Sequence, residues 1–169
     1  WINGFGFVSH RHIAKWMKTA DTTAYIRLKK LVQTGYLKHQ RIFHGMAGIY
    51  RVTRQGVNAS GSPYPPLRNI ILSKYHHDLS IVDVSLVLSQ QFDGYFQTER
   101  ELRLAHWGNK IGGTGHLSDG QFVTKERSIA IEVELHKKGQ RRRDGIMKHY
   151  LKNFEINEVW YLCGTAAIQ

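Results

Sequence analysis

Apolar positions along the first sixty residues fall into short helical and extended runs. Ser9 stands where an N-cap belongs, and Ile13, Ala14, Trp16 and Met17 follow as the buried stripe of a short helix. A second helix is predicted to begin at Asp21 or Thr22, either of which can cap it. Its apolar set is Ala24, Leu28, Leu31 and Val32, spaced i, i+4, i+7, i+8. Thr22, Thr23, Tyr25, Arg27, Lys29 and Lys30 fall largely outside that stripe. Thr34-Gly35 closes the helix with glycine in its usual C-terminal place. Residues 36–43 read as a strand, 44–48 as a turn and 49–53 as a returning strand. Arg54-Gln55-Gly56 opens another short helical segment.

The segment 61–66 holds all three prolines of the chain and breaks any helix. It is the predicted linker, between a first domain at 1–60 and a second at 67–169. Residues 67–91 read as largely helical, with Ile71, Tyr75, Leu79, Val82 and Leu86 as the buried stripe. Residues 95–97 suit a short strand, and Thr98 caps the segment that follows. Residues 109–115 are glycine-rich but lack the Gly-Lys-Ser/Thr ending of a P-loop, so they read as a connection. Residues 119–123 form a strand. Residues 128–135 form a second one with clean alternation: Ile129, Ile131, Val133 and Leu135 face one side, and Ala130, Glu132, Glu134 and His136 the other. A helix at 140–152 and a continuous apolar strand at 158–163 complete a strand–helix–strand crossover. The fold class expected is therefore α+β in the first domain, and a mixed β-sheet flanked by helices in the second.

Charge changes this picture. The formal net charge is +11, and ten of the 24 Lys and Arg lie in residues 1–60 against one acid, Asp21. Clustered cations are rewarded by phosphate polyanions through counterion release, although a solubilising face is the plainer alternative. No apolar run reaches the roughly 18 residues of a membrane span. The single cysteine, Cys163, lies in an apolar run and excludes a disulfide framework. A cytoplasmic protein is expected. The chain begins at Trp1 without a methionine and stops at Gln169 soon after a core strand, so further sequence beyond that end is expected.

Helix, short turn, basic helix and two-stranded hairpin is an order that resembles the winged helix-turn-helix family. Leu31-Val32-Gln33-Thr34-Gly35-Tyr36-Leu37 is similar to its join between recognition helix and wing. Tyr50-Arg51-Val52-Thr53-Arg54-Gln55-Gly56 is similar to its exit from the wing. The resemblance implies double-stranded DNA as partner. The helix at 22–33 would enter the major groove through Thr22, Thr23, Tyr25, Arg27, Lys29 and Lys30, and Arg41 or His44 would reach backbone or minor groove. A winged helix used for protein contacts is the alternative.

In the second domain, Glu132 and Glu134 share a strand face, with Asp119 on the neighbouring strand. Like charges so placed resist ionising together unless a divalent cation such as Mg²⁺ or Mn²⁺ sits among them. Asp119 followed by Glu132-Val133-Glu134 resembles the signature of the PD-(D/E)xK restriction-endonuclease-like superfamily. The departure is that Glu134 occupies the lysine position. The resemblance implies a lysine supplied from elsewhere, Lys148 being better placed than Lys137 or Lys138, and Glu99 as an additional acid. The order as a whole resembles the replication-relaxation family of plasmid mobilization proteins, including MobC-type relaxases. The matching residues are Tyr50 to Gly56, His77-Asp78-Leu79, Thr98 to Arg103, Ser118-Asp119-Gly120, Ile131 to Leu135 and Lys148-His149-Tyr150. That resemblance implies a metal-assisted nick at a plasmid transfer or replication origin, with other mobilization proteins as partners. It also implies no paired-histidine metal site, and His10-x-His12 and His76-His77 have no third ligand nearby in sequence.

Plainer readings stand beside these. Glu132 and Glu134 would be exposed strand residues, Asp119 would shape an Asp-Gly turn, and Glu99 would be a helix-start acid. Lys148 would be a solvated lysine and Tyr150 a core residue. Lys137, Lys138, Arg141, Arg142 and Arg143, clustered beside the proposed carboxylates, are expected to contact phosphate, and a solvated helix start is their plainer reading. On those terms the chain is a DNA-binding regulator or replication accessory protein without catalysis.

Overall fold

Ser9 does cap a helix. Its hydroxyl accepts from the backbone N–H of His12 at 3.4 Å, and its own N–H donates to His12 Nδ1 at 3.2 Å. Histidine here fills the place usually taken by Glu or Gln in a capping box. The computed structural model describes residues 1–107, 116–136 and 139–164, and places seven α-helices and two sheets among them. In the first unit these are α1 (Ile2–Phe5), β1 (Val8–Ser9), α2 (His10–Trp16), α3 (Asp21–Gln33), β2 (Leu37–Gln40), β3 (Ile49–Val52) and α4 (Arg54–Ser60). The long α5 (Tyr75–Gln91) follows a short 3₁₀ turn at Leu72–Lys74. The second unit continues with β4 (Tyr95–Thr98), α6 (Glu99–Trp107), β5 (Gly120–Val123), β6 (Ser128–Glu134), α7 (Gln140–Tyr150) and β7 (Glu158–Cys163).

The first sheet runs β1-β3-β2, antiparallel throughout, with Val8 opposite Tyr50 and Leu37 opposite Val52. Ala24 and Leu28 of α3 are buried against Val8, Ile13, Leu37 and Tyr50. Val32 packs at the edge of this core, whereas Leu31, expected in the stripe, is 40% exposed. Ala20, not Asp21 or Thr22, is the N-cap, and Asp21 sits in the first turn. Strand β2 ends at Gln40 rather than at residue 43, because Ile42 and Phe43 turn inward. Phe43 meets Tyr75 edge-on at 5.0 Å. Thr53 ties the sheet to the next helix: its hydroxyl donates to Gly35 O at 2.6 Å and accepts from Gly56 N at 3.1 Å. A side chain at Gly56 would place its Cβ 2.2 Å from Tyr36 O, which explains glycine at that point.

The chain divides into the units Trp1–Leu86 and Val87–Gln169. The division falls inside α5 rather than at the proline segment. Residues 61–86 join the first unit through specific bonds. Asn3 Nδ2 donates to Ser62 Oγ (2.9 Å) and Tyr64 O (2.8 Å), and the Arg51 guanidinium donates to Leu67 O and Arg68 O. Tyr75 stacks on Phe7, and Val82 and Leu86 enter the main core. Residues 67–71 are not helical as expected, and Ile71 is exposed.

In the second unit the sheet order is β4-β5-β6-β7, with the first two pairings antiparallel and β6-β7 parallel. Helix α7 connects the parallel pair. Thr98 and Glu101 bond reciprocally at the start of α6. Strand β6 is buried on both faces from Ile129 to Val133. Cys163 is half-buried in β7. Among the described residues no helix is long and apolar enough to cross a membrane.

His12 makes the first unit sensitive to pH. Its Nδ1 accepts from Ser9, so the neutral ring carries its hydrogen on Nε2, 3.5 Å from Asp83 Oδ2. Burial lowers the His12 pKa below its usual value, with the Asp83 carboxylate opposing. The unfolded chain therefore binds this proton more readily. The resulting stability is present above about pH 6.5 and is lost as pH falls towards the folded value. His12→Gln keeps an acceptor for the Ser9 N–H and removes the titration. We expect its urea midpoint to decline less steeply than the native one between about pH 7 and pH 5. Identical slopes would exclude His12 as the source.

Candidate functional site

The alternation of β6 places Glu132 and Glu134 on one face, and the pairing of three strands decides what surrounds Glu132. Gly120 pairs with Ile131, so Asp119 stands across from Glu132 on the β5 side. Tyr161 of β7 is the parallel register partner of Glu132 on the other side. Gly120 lets β5 lie against β4, since a Cβ there would lie 2.2 Å from the Phe96 ring.

Glu132 is 1% exposed. A carboxylate taken out of water needs donors, and two converge on its Oε1. His116 Nε2 lies 2.6 Å away, and the Tyr150 hydroxyl donates to the same oxygen. Tyr150 Oη and His116 Nε2 are 3.4 Å apart, which closes a triangle. A carboxylate oxygen only accepts, so Nε2 carries the hydrogen directed at it. The Tyr150 pKa is strongly raised, first by burial and then by the Glu132 charge and bond, so the phenol stays a donor; the Ser118 side chain bonds to it and acts the opposite way. His149 meets both rings edge-on, at 5.5 Å from His116 and 5.7 Å from Tyr150. Its own pKa is lowered, first by burial and then by His116.

Asp119 Oδ2 accepts from the backbone N–H of Val133 at 2.8 Å, so this side chain spans the β5–β6 pair. The Tyr161 hydroxyl is buried and has no hydrogen-bond partner among the described residues. Its pKa is pushed up to about 12, first by burial and then by the charges of Glu132, Glu134 and Asp119. All three predicted acids thus bear on one buried hydroxyl. The described His, Cys, Asp and Glu side chains do not stand in groups of three or more at metal-ligating geometry.

The other predicted site residues fall elsewhere. Glu99 follows Thr98, the register partner of Gly120, so it starts α6 at the Asp119 end of the sheet. Its carboxylate pairs with Arg103 one turn on and is 42% exposed. Lys148 is exposed on α7, two residues and 200° from Tyr150, and faces away from Glu132. Arg141 and Arg142 are exposed at the start of α7, about 13 Å along the helix axis from Tyr150. Arg143 is half-buried and donates to Gln140 Oε1. Lys137 and Lys138 lie outside the described residues. In the first unit, Thr22, Tyr25, Arg27, Lys29 and Lys30 are exposed on α3 and Thr23 is half-buried. Arg41 and His44 are exposed on the β2–β3 loop, on either side of the anchored Ile42 and Phe43.

No protein-family model, curated protein or solved structure matches this chain. The case for function therefore rests on geometry. Reasoning from the sequence missed His116, whose loop position carries no periodic signal. It treated Tyr150 as core, because Tyr150 lies on the apolar stripe of its helix. Tyr161 was visible only as one residue of an apolar strand.

The Glu132 cluster predicts an asymmetric pair of substitutions. Glu132→Ala strands the His116 and Tyr150 donors inside the protein and should destabilise the fold by about 3 kcal/mol in urea unfolding. Glu132→Gln keeps an accepting oxygen and should cost clearly less. Equal stability of native protein and Glu132→Ala would show that the two bonds carry no net weight.

Proposed function

We propose that the chain is a site-specific DNA-binding protein whose second unit is a divergent, metal-dependent DNA endonuclease of the restriction-endonuclease-like kind, acting as a nickase at a plasmid transfer or replication origin. The observation that carries the catalytic half is the buried Glu132 facing Asp119 across a strand pair, with Glu134 on the same face. It sits on a mixed sheet of two antiparallel pairings and one parallel pairing joined through a helix, which is compatible with that reading. The binding half is supported by α3, which buries Ala24 and Leu28 and leaves Arg27, Lys29 and Lys30 exposed. The three-stranded antiparallel sheet beside it suits a winged helix-turn-helix.

The donor chemistry fits Mg²⁺ or Mn²⁺. Asp119, Glu132 and Glu134 are hard oxygen donors, and each helps raise the Tyr161 pKa, although among the described residues no three such side chains stand at metal-ligating geometry. These three would hold the ion. Bound there, it would supply Lewis acidity toward a phosphodiester oxygen and lower the pKa of a bound water. The chain's own part is to fix the carboxylates: the Val133 N–H orients Asp119, and His116 and Tyr150 orient Glu132. A non-catalytic DNA-binding regulator is the second reading. It is favoured by the fact that Glu132 Oε1 is already bonded within the protein.

A nicking assay separates these two readings, and a salt titration tests the DNA-binding half they share. Supercoiled plasmid incubated with the native chain and Mn²⁺ should be nicked, and Asp119→Asn and Glu132→Gln should each reduce the rate at least about 100-fold while leaving DNA affinity intact. Native-level nicking by both variants would remove the catalytic assignment. For the first unit, Arg27→Ala and Lys30→Ala should each weaken DNA binding and reduce the slope of log affinity against log salt by about 1. Unmoved slopes would exclude these two as phosphate contacts.

A further inference from the structure

The outward face of α3 leaves one residue without a role. Ile26 stands two residues, roughly 200°, from each of the buried Ala24 and Leu28, so it occupies the middle of the face turned away from the core. It is 56% exposed. Its neighbours one turn away are Thr22 and Thr23 on one side and Lys29 and Lys30 on the other. We propose that Ile26, with the Tyr25 ring beside it, reads the 5-methyl group of a thymine in the major groove. The inference rests on the reading of α3 as the DNA-contacting helix, and adds to it the residue that chooses a base.

An apolar side chain set among cations suits few partners. The core of a protein–protein interface is depleted of lysine, whereas Lys29 and Lys30 lie within one turn of Ile26 and are exposed with it. Duplex DNA offers both parts. Phosphates line the groove edge, and on its floor stand thymine methyl groups that apolar side chains contact. A concavity of about 420 Å³ opens beside Ile26, lined also by His10, Asp21, Thr22 and Tyr25. His10 meets the Tyr25 ring edge-on, with centroids 6.4 Å apart, and so limits its movement. Asp21 among these residues disfavours a phosphate, so a base edge rather than the backbone belongs at this end of the helix. The first residues of a recognition helix are the ones that reach base edges.

The probe is the duplex that the full native chain enriches from a random-sequence pool. Each thymine of that duplex is replaced in turn by uracil, which removes the 5-methyl group and keeps the base pair. One such position should weaken native binding about 4-fold, the worth of one buried methyl group. Ile26→Ala should bind the thymine duplex more weakly and show no difference between thymine and uracil at that position, with its salt slope unchanged. Lys30→Ala should lose affinity for both duplexes equally. Ile26 is exposed and alanine favours a helix, so the urea midpoint of Ile26→Ala should not fall. An enriched duplex without thymine, native binding that no uracil weakens, or a native thymine preference kept in Ile26→Ala would each overturn the inference and leave the DNA reading standing. Altered self-association of Ile26→Ala with that preference intact would assign the residue to protein contact instead. If the native chain enriches no sequence, the site-specific reading fails and the inference falls with it.

Discussion

Burial of the Glu132 carboxylate sets the terms for the second unit. Removing an ionised carboxylate from water costs several kcal/mol unless hydrogen bonds and nearby charges offset it. Glu132 lies in a strand covered on both faces, so the cost cannot be avoided by turning the side chain outward. The offset comes from His116, before β5, and from Tyr150, at the end of α7. A loop, a strand and a helix far apart in sequence are thus tied to one oxygen. The same bonds that make the acid tolerable in the core also determine where its charge points. The stability of this unit and the orientation of its buried acid are consequently difficult to alter separately.

The first unit rests on a different constraint. Helix α3 exposes Arg27, Lys29 and Lys30 together with Tyr25, Ile26 and Leu31, and it has only a narrow buried stripe to hold it, Ala24 and Leu28 with Val32 at the edge. Such a stripe needs support from elsewhere, and it comes from well beyond residue 60. Val82 and Leu86 of α5 enter the same core, and Tyr75 fills the space between Phe7 and Phe43. The prolines at 63, 65 and 66 belong to a strap bonded to Asn3 rather than to a hinge between domains. Proline composition signals a break in helix, which is correct here. Whether such a break is a linker depends on what its backbone bonds to, and the sequence does not carry that information.

The same division separates what was legible from what was not. Periodicity located α3, which buries Ala24 and Leu28 on one face, while β6 was legible from its alternation and β7 from a continuous apolar run, although β6 is buried on both faces and β7 is half-buried along its length. The Ser9 cap and the Thr98 cap were legible because capping is local. Strand β2 was read too long, since inward-turning Ile42 and Phe43 look the same in sequence whether they extend a strand or anchor a loop. The acids at 119, 132 and 134 stood out because paired carboxylates on one face require an explanation. Their environment did not: His116 is 16 residues from Glu132 and Tyr150 is 18, and only the folded sheet brings the three together.

Tyr161, the register partner of Glu132, adds a second buried polar group to the cluster, and its hydroxyl, like that of Tyr75 in the first unit, has no partner among the described residues. A phenol O–H rotates freely and can donate to a neighbouring carboxylate. Yet the Tyr161 hydroxyl is buried without a partner among the described residues, although three carboxylates bear on it. Leaving such a donor unpaired costs about 1–3 kcal/mol. A core arranged for stability alone would fill that position with phenylalanine, which packs as well and leaves nothing unsatisfied. Unsatisfied buried polar groups are rare enough to call for an explanation such as a functional role or an ion. Burial and the charges of those acids raise the Tyr161 pKa, so the hydroxyl stays a protonated donor at the edge of the Glu132 cluster.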